Sequence, residues 1–74
     1  MKQQFDLAGH PHVALCDLLK LAGLAESGGR AKQLIAEGKV LRNQQPETRK
    51  TAKIVAGDSI RLCDSEINVI NSEL

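Results

Sequence analysis

The stretch Ser-Gly-Gly-Arg-Ala-Lys-Gln-Leu-Ile-Ala-Glu-Gly-Lys-Val, from Ser27 to Val40, constrains the fold more than any other part of this chain. It predicts a capped helix that runs into a basic strand. The Ser27 hydroxyl can accept a bond from an otherwise unpaired first-turn amide. Ala31, Leu34 and Ile35 recur at i, i+3 and i+4, the spacing of one buried helical face. Gly38 is placed to stop the helix in the left-handed conformation that glycine adopts cheaply. Gly28 and Gly29 need a separate reason. Each weakens a helix by about 0.5–1 kcal/mol relative to alanine. Close approach of a backbone or a phosphate to bare amides at a positive helix end supplies that reason. Arg30 and Lys32 sit beside those amides.

The rest of the chain supports one small α+β domain. Its 74 residues contain no Trp or Tyr and one Phe, so aliphatic side chains must build the core. A domain of this size buries only about 60% of its unfolded surface. A first helix is expected over residues 11–22, with Pro11 at its first position. Leu15, Leu18, Leu19 and Ala22 form its apolar stripe. Phe5 and Leu7 alternate with polar neighbours, as in a short edge strand or ordered arm. After Lys39 the pattern becomes one of short strands: around Val40 and Leu41, over residues 53–55, at Ile60 and Leu62, and at Ile67 and Val69. Turns are expected at residues 43–47, 56–58 and Asp64-Ser65. Residues 48–52 read as a polar, basic segment with little core-forming power, and residues 71–74 as a frayed end. The expected fold is two helices packed on a small antiparallel sheet, with the single domain spanning residues 1–74.

Charge is segregated along the chain. The formal net charge is only +1. Residues 30–53, however, carry seven cations against Glu37 and Glu47, a net +5, and the remainder carries −4. Such a split points to one basic face for an anionic partner. Arg forks onto two phosphate oxygens, whereas Lys acts as a point charge. The candidate binding residues are Gly28, Gly29, Arg30, Lys32, Arg42, Asn43, Arg49, Lys50 and Lys53.

Other chemistries find less support. Cys16 and Cys63 show no metal-type pairing and read as reduced, partly buried thiols. His10, His12, Cys16 and Cys63 offer zinc-compatible atoms at a poor spacing, so no metal is expected. Cys16 lacks the activating base that a nucleophilic thiol needs. Asp58, after Gly57, reads as a turn former. The apolar run from Val13 to Leu24 is interrupted by Asp17 and Lys20 and is too short to span a bilayer. A cytoplasmic protein without a cofactor, a small-molecule substrate or a membrane partner is expected.

The ordered set Leu15-Cys16-Asp17-Leu18-Leu19, Gly23, Ser27, Ala31, Leu34-Ile35, Gly38, Val40, Asn43 and Gly57-Asp58-Ser59-Ile60 resembles the RNA-binding domain named after ribosomal protein S-four, the alpha-L motif. The resemblance covers about residues 12–63. It implies two helices on a small twisted sheet, with RNA gripped by the second helix and by the loop after the following strand. Two departures stand out. Gly28 occupies a position where many members carry Arg, and Arg30 lies on a different helical face. Gln44 follows Asn43 where many members carry Gly, although glycine tolerates positive φ better. The Gly28-Gly29-x-Ala31-Lys32 form and the Glu47-Thr48-Arg49-Lys50 segment are similar to a stand-alone, ribosome-associated subgroup.

This resemblance implies a non-enzymatic RNA-binding protein whose partner is ribosomal RNA or the ribosome; nothing in the sequence demands a dimer, so a monomer is expected. In the family, catalysis resides in appended domains. The near absence of aromatics argues against stacking on single-stranded bases and for recognition of a structured RNA by its backbone shape. The alternative is a protein-interaction module whose basic face docks an acidic partner.

Overall fold

The second helix buries the stripe that its sequence defines, and the first buries Leu15, Leu18 and Leu19 of its own, whereas Ala22 is the C-cap and only partly buried. The computed structural model describes residues 2–73. Helix α1 spans Leu15–Leu21 and buries Leu15, Cys16, Leu18 and Leu19. Helix α2 spans Gly28–Ala36 and buries Ala31, Leu34 and Ile35. They pack on a five-stranded sheet built from β1 (Lys2–Asp6), β3 (Val40–Arg42), β4 (Gln45–Pro46), β6 (Ser59–Leu62) and β7 (Ser65–Ile70), in the order β1-β7-β6-β3-β4. A separate two-stranded ribbon joins β2 (Val13–Ala14) to β5 (Lys53–Ile54). Val40, Ile60, Leu62, Ile67 and Val69 supply the inner sheet surface, and Ile54 joins the same core from the ribbon. Burying each such aliphatic side chain contributes about 1.5–3 kcal/mol.

The α+β arrangement is the expected one, with one refinement. Every pairing in the larger sheet is antiparallel except that between β1 and β7, which is parallel. The N-terminal edge strand thus reaches the sheet by a route that no hairpin signal could announce.

Helix α1 begins four residues later than the sequence indicates. Pro11 lies in the preceding loop, and Val13 and Ala14 pair with Ile54 and Lys53. No side chain caps the helix. Instead the amides of Leu15 and Cys16 donate to the carbonyls of Ala52 and Lys50, each at 3.0 Å. Orphan first-turn donors are therefore satisfied by a distant segment. That segment also contributes Ala52 to the core at 4% exposure, so residues 48–52 are not purely a polar loop.

Helix α2 follows its sequence signals closely. Ser27 is extended, and its hydroxyl accepts from the Arg30 amide at 3.1 Å. Gly38 has φ +76° and donates to the Ile35 carbonyl at 3.0 Å, closing the C-terminal end.

Three further expectations change. The β6–β7 turn falls at Cys63 and Asp64, because Ser65 already pairs with Leu62. Cys63 is consequently exposed at φ +56°, whereas Cys16 is buried. The C-terminal residues are tied down rather than frayed. Asn71 accepts from the Gly9 amide and donates to the His10 carbonyl, both at 3.0 Å. The Ser72 hydroxyl donates to Asp6 at 2.6 Å, and the Glu73 amide donates to Asn71. Leu74, also expected to fray, lies outside the described residues.

Candidate nucleic-acid interface

The basic loop is organised by a carboxylate. Asp58 is 8% exposed, the one buried charged residue among those described. One of its oxygens, Oδ2, accepts from the Val55 amide at 2.9 Å and from Arg42 Nη2 at 2.9 Å. The other accepts from Asn43 Nδ2 at 3.0 Å, while Asn43 Oδ1 accepts from the Ser59 amide at 2.9 Å. Burial alone would raise the pKa of Asp58. The bonds from Val55, Asn43 and Arg42 outweigh that effect and hold it below the usual carboxylate value. Sequence reading makes Asp58 a turn residue only. Its partners Asn43 and Arg42 lie 15 and 16 positions away, so no local pattern reports them.

Arg42 spans the two ends of the basic segment. Its Nη2 also donates to the Lys53 carbonyl at 3.0 Å, and its Nη1 lies 3.5 Å from Glu47 Oε1. The Arg42 side chain is only 23% exposed. Glu47 in turn receives Arg49 Nε at 3.3 Å and Arg49 Nη2 at 3.4 Å. The Arg49 side chain stays 75% exposed. Hydrogen bonding by Arg49 is the main reason that Glu47 also titrates below its usual value. Two of the expected ligand-binding groups, the Arg42 guanidinium and the Asn43 amide, therefore direct their hydrogen bonds inside the protein.

The remaining candidates fall into two groups. Arg42, Arg49 and Lys53 line one shallow depression together with Thr51 and Ala52. Lys50 and Lys53 are exposed, and neither makes a salt bridge among the described residues. At the start of α2, a Cβ added to Gly28 would meet nothing within 4 Å. One added to Gly29 would meet only the Ser27 hydroxyl, at 3.9 Å. Nothing inside the protein demands either glycine, and the amide-bearing end of the helix is open. Lys32 follows one turn later and is exposed. Arg30 Nη1 donates to Gln33 at 3.1 Å, and Gln33 donates to Glu37 at 3.4 Å. No hydrogen bond or salt bridge among the described residues joins Arg30 or Lys32 to the group from 42 to 53.

Such an arrangement can hold phosphates by charge and by bare amides. Among the described residues no group of three or more His, Cys, Asp or Glu is placed to hold a metal ion. Among the described residues no helix is long and apolar enough to cross a membrane.

Comparison with known proteins bears on this surface. Residues 5–70 match the family described as "S4 domain". The chain is 52% identical over 66 residues to "Putative RNA-binding protein YbcJ" of Escherichia coli (strain K12), covering 89% of this chain and 94% of that protein. It is 38% identical over 50 residues to "Probable ribosome maturation protein RlbA" of Bacillus subtilis (strain 168), covering 68% of this chain and 70% of that one. The solution structure of YbcJ from E. coli, described as revealing an alfaL motif involved in RNA-binding, matches with a TM-score of 0.71 at 51% identity. The match covers 90% of this chain and 85% of that one.

Proposed function

This chain belongs to the S4 domain family, and from that premise we propose that it is a non-enzymatic RNA-binding protein. It grips the backbone of structured RNA, either ribosomal RNA or a ribosomal particle. The observation that carries this reading is that Lys50 and Lys53 are exposed and make no salt bridge among the described residues, while the capped start of α2 at Gly28 and Gly29 is open. Cations and bare amides both favour phosphate oxygens. The names of two relatives, one an RNA-binding protein and one a ribosome maturation protein, support the same reading.

Phe5 is the one aromatic residue, and it packs against the core. No Phe, Tyr or Trp is therefore free to form a stacking platform for bases, which favours reading by shape and phosphate spacing. The protein acts as a monomer in the cytoplasm, and no step of its function needs a cofactor.

Titration of a stem-loop and a poly-pyrimidine strand at two salt concentrations tests this. With about four phosphates engaged, log affinity against log salt should slope by roughly −3 to −4. The stem-loop should bind more tightly. Tighter binding to the unstructured strand with a shallow slope would overturn shape reading. A pull-down from cells whose partner survives nuclease digestion would favour an acidic protein partner instead.

A further inference from the structure

Arg42 faces inward, although it belongs to the most basic part of the chain. Its guanidinium connects Glu47, at the start of the basic segment, to the Lys53 carbonyl at its end. Asp58 fixes that guanidinium through a 2.9 Å bond and anchors the β3–β4 turn through Asn43. Between the two ends lie Arg49, Lys50 and Thr51, all exposed. The backbone of this stretch has its own attachments at the Lys50 and Ala52 carbonyls, which receive the first amides of α1. The exposed cations are thus presented on a segment held by α1 along its middle and by Arg42 across its ends.

We propose that Asp58 is a positioning residue for RNA binding: it holds Arg42 as a strap that fixes the spacing of the cations at 49, 50 and 53. Asp58 touches no RNA. The inference rests on the RNA-binding reading above and adds a role for an acidic residue within it. Its expected effect has an unusual sign. Asp58→Asn removes a negative charge beside the basic segment, so electrostatics alone would tighten RNA binding. Release of the strap does the opposite. At about 0.15 M salt, each phosphate that is no longer neutralised should weaken affinity about fivefold and flatten the salt slope by about one.

The experiment measures stem-loop affinity and salt slope for the full chain and for Asp58→Asn, Arg42→Lys, Lys50→Ala/Lys53→Ala and the combination of that pair with Asp58→Asn. Thermal melts establish that each variant is folded. Asp58→Asn and Arg42→Lys should both weaken binding and flatten the slope. Arg42→Lys keeps its charge but cannot fork to Asp58, Glu47 and the Lys53 carbonyl together. Asp58→Asn should lose less affinity once both lysines are gone, because only Arg49 is then left for the strap to position, whereas a general structural defect would cost the same in both backgrounds. Unchanged or tighter binding by folded Asp58→Asn overturns the proposal, as does an equal loss in the lysine-free background. Should Asp58→Asn fail to fold, full affinity in Arg42→Lys overturns it. Absence of binding by the unaltered chain is a different result and removes the RNA reading itself.

Discussion

Gln44→Gly should stabilise this protein, although it deletes a whole side chain. Strands β3 and β4 pair Arg42 with Gln45, which leaves a two-residue turn of Asn43 and Gln44. Both are left-handed, with φ +51° and +71°. That is the twist a two-residue hairpin requires. Asn tolerates it, and here Asn43 is also held by Asp58 and the Ser59 amide. Gln44 has no such compensation. Its side chain is exposed and makes no hydrogen bond among the described residues. Left-handed geometry costs a residue with a Cβ about 1–2 kcal/mol. Glycine removes that cost but gains about 0.4–1 kcal/mol of unfolded-state freedom. The net gain is about 0.5–1 kcal/mol. For a domain of this size it raises Tm by about 2–8 °C. Thermal and urea unfolding of both proteins under identical conditions measures it, with the urea m-value unchanged. A cooperative transition at the original or a lower Tm would show that the turn stores no strain at Gln44. Asn43→Ala is the opposing control and should destabilise, because it breaks both bonds to the 58–59 segment.

The start of α2 and the buried carboxylate give two more expected outcomes. Gly28→Ala meets open space, so α2 should gain about 0.5–1 kcal/mol; RNA affinity should fall if phosphate approaches those amides, and wild-type affinity in the folded variant would remove Gly28 from the site. Asp58 has its pKa lowered from 3.8 in the folded protein, so its contribution is present above that unfolded value and is lost as pH falls through the lower folded one. Urea unfolding across pH 6 to about 2 should therefore show a steeper acid decline in wild type than in Asp58→Asn, and parallel curves would contradict the assigned bonds.

Local signals were legible and long-range ones were not. Ser27, the Ala31-Leu34-Ile35 stripe and Gly38 act within a few residues of one another, and α2 forms where they predict. The stripe of α1 was equally clear, but its start was not. Pro11 is a good first helical residue in isolation, yet pairing of Val13 with Ile54 takes residues 13–14 into a strand. Ala52 carries too little hydrophobic signal to announce its burial, which depends on α1 docking over it. The candidate site shows the same division. Charge segregation identified the basic stretch, since charge can be counted along a sequence. It could not separate the exposed Lys50 and Lys53 from Arg42, whose inward orientation depends on a carboxylate 16 positions away. Cys63 differs from expectation for a related reason. Cys63 shares the outward parity of Arg61 rather than that of the buried Ile60 and Leu62, and the turn begins at it, so it is exposed.

The parallel edge strand has a consequence for how the domain assembles and for what its surface does. Hairpins β3–β4 and β6–β7 close over two residues, and α1 and α2 are sequence neighbours. β1 must instead find β7 across almost the full chain, and the Asp6–Ser72 clasp joins residues 66 positions apart. Closure entropy grows with that separation, so β1 is expected to dock late on folding and to leave early in a partial opening, which amide exchange along β1 and β7 would read. While it is away, β7 is an uncovered edge, a row of free amides and carbonyls beside Ile67 and Val69 that another chain can pair with. The clasp between the two ends therefore decides which edge the sheet presents: it covers β7 and leaves β1, with Lys2 and Asp6 along it, as the outer strand.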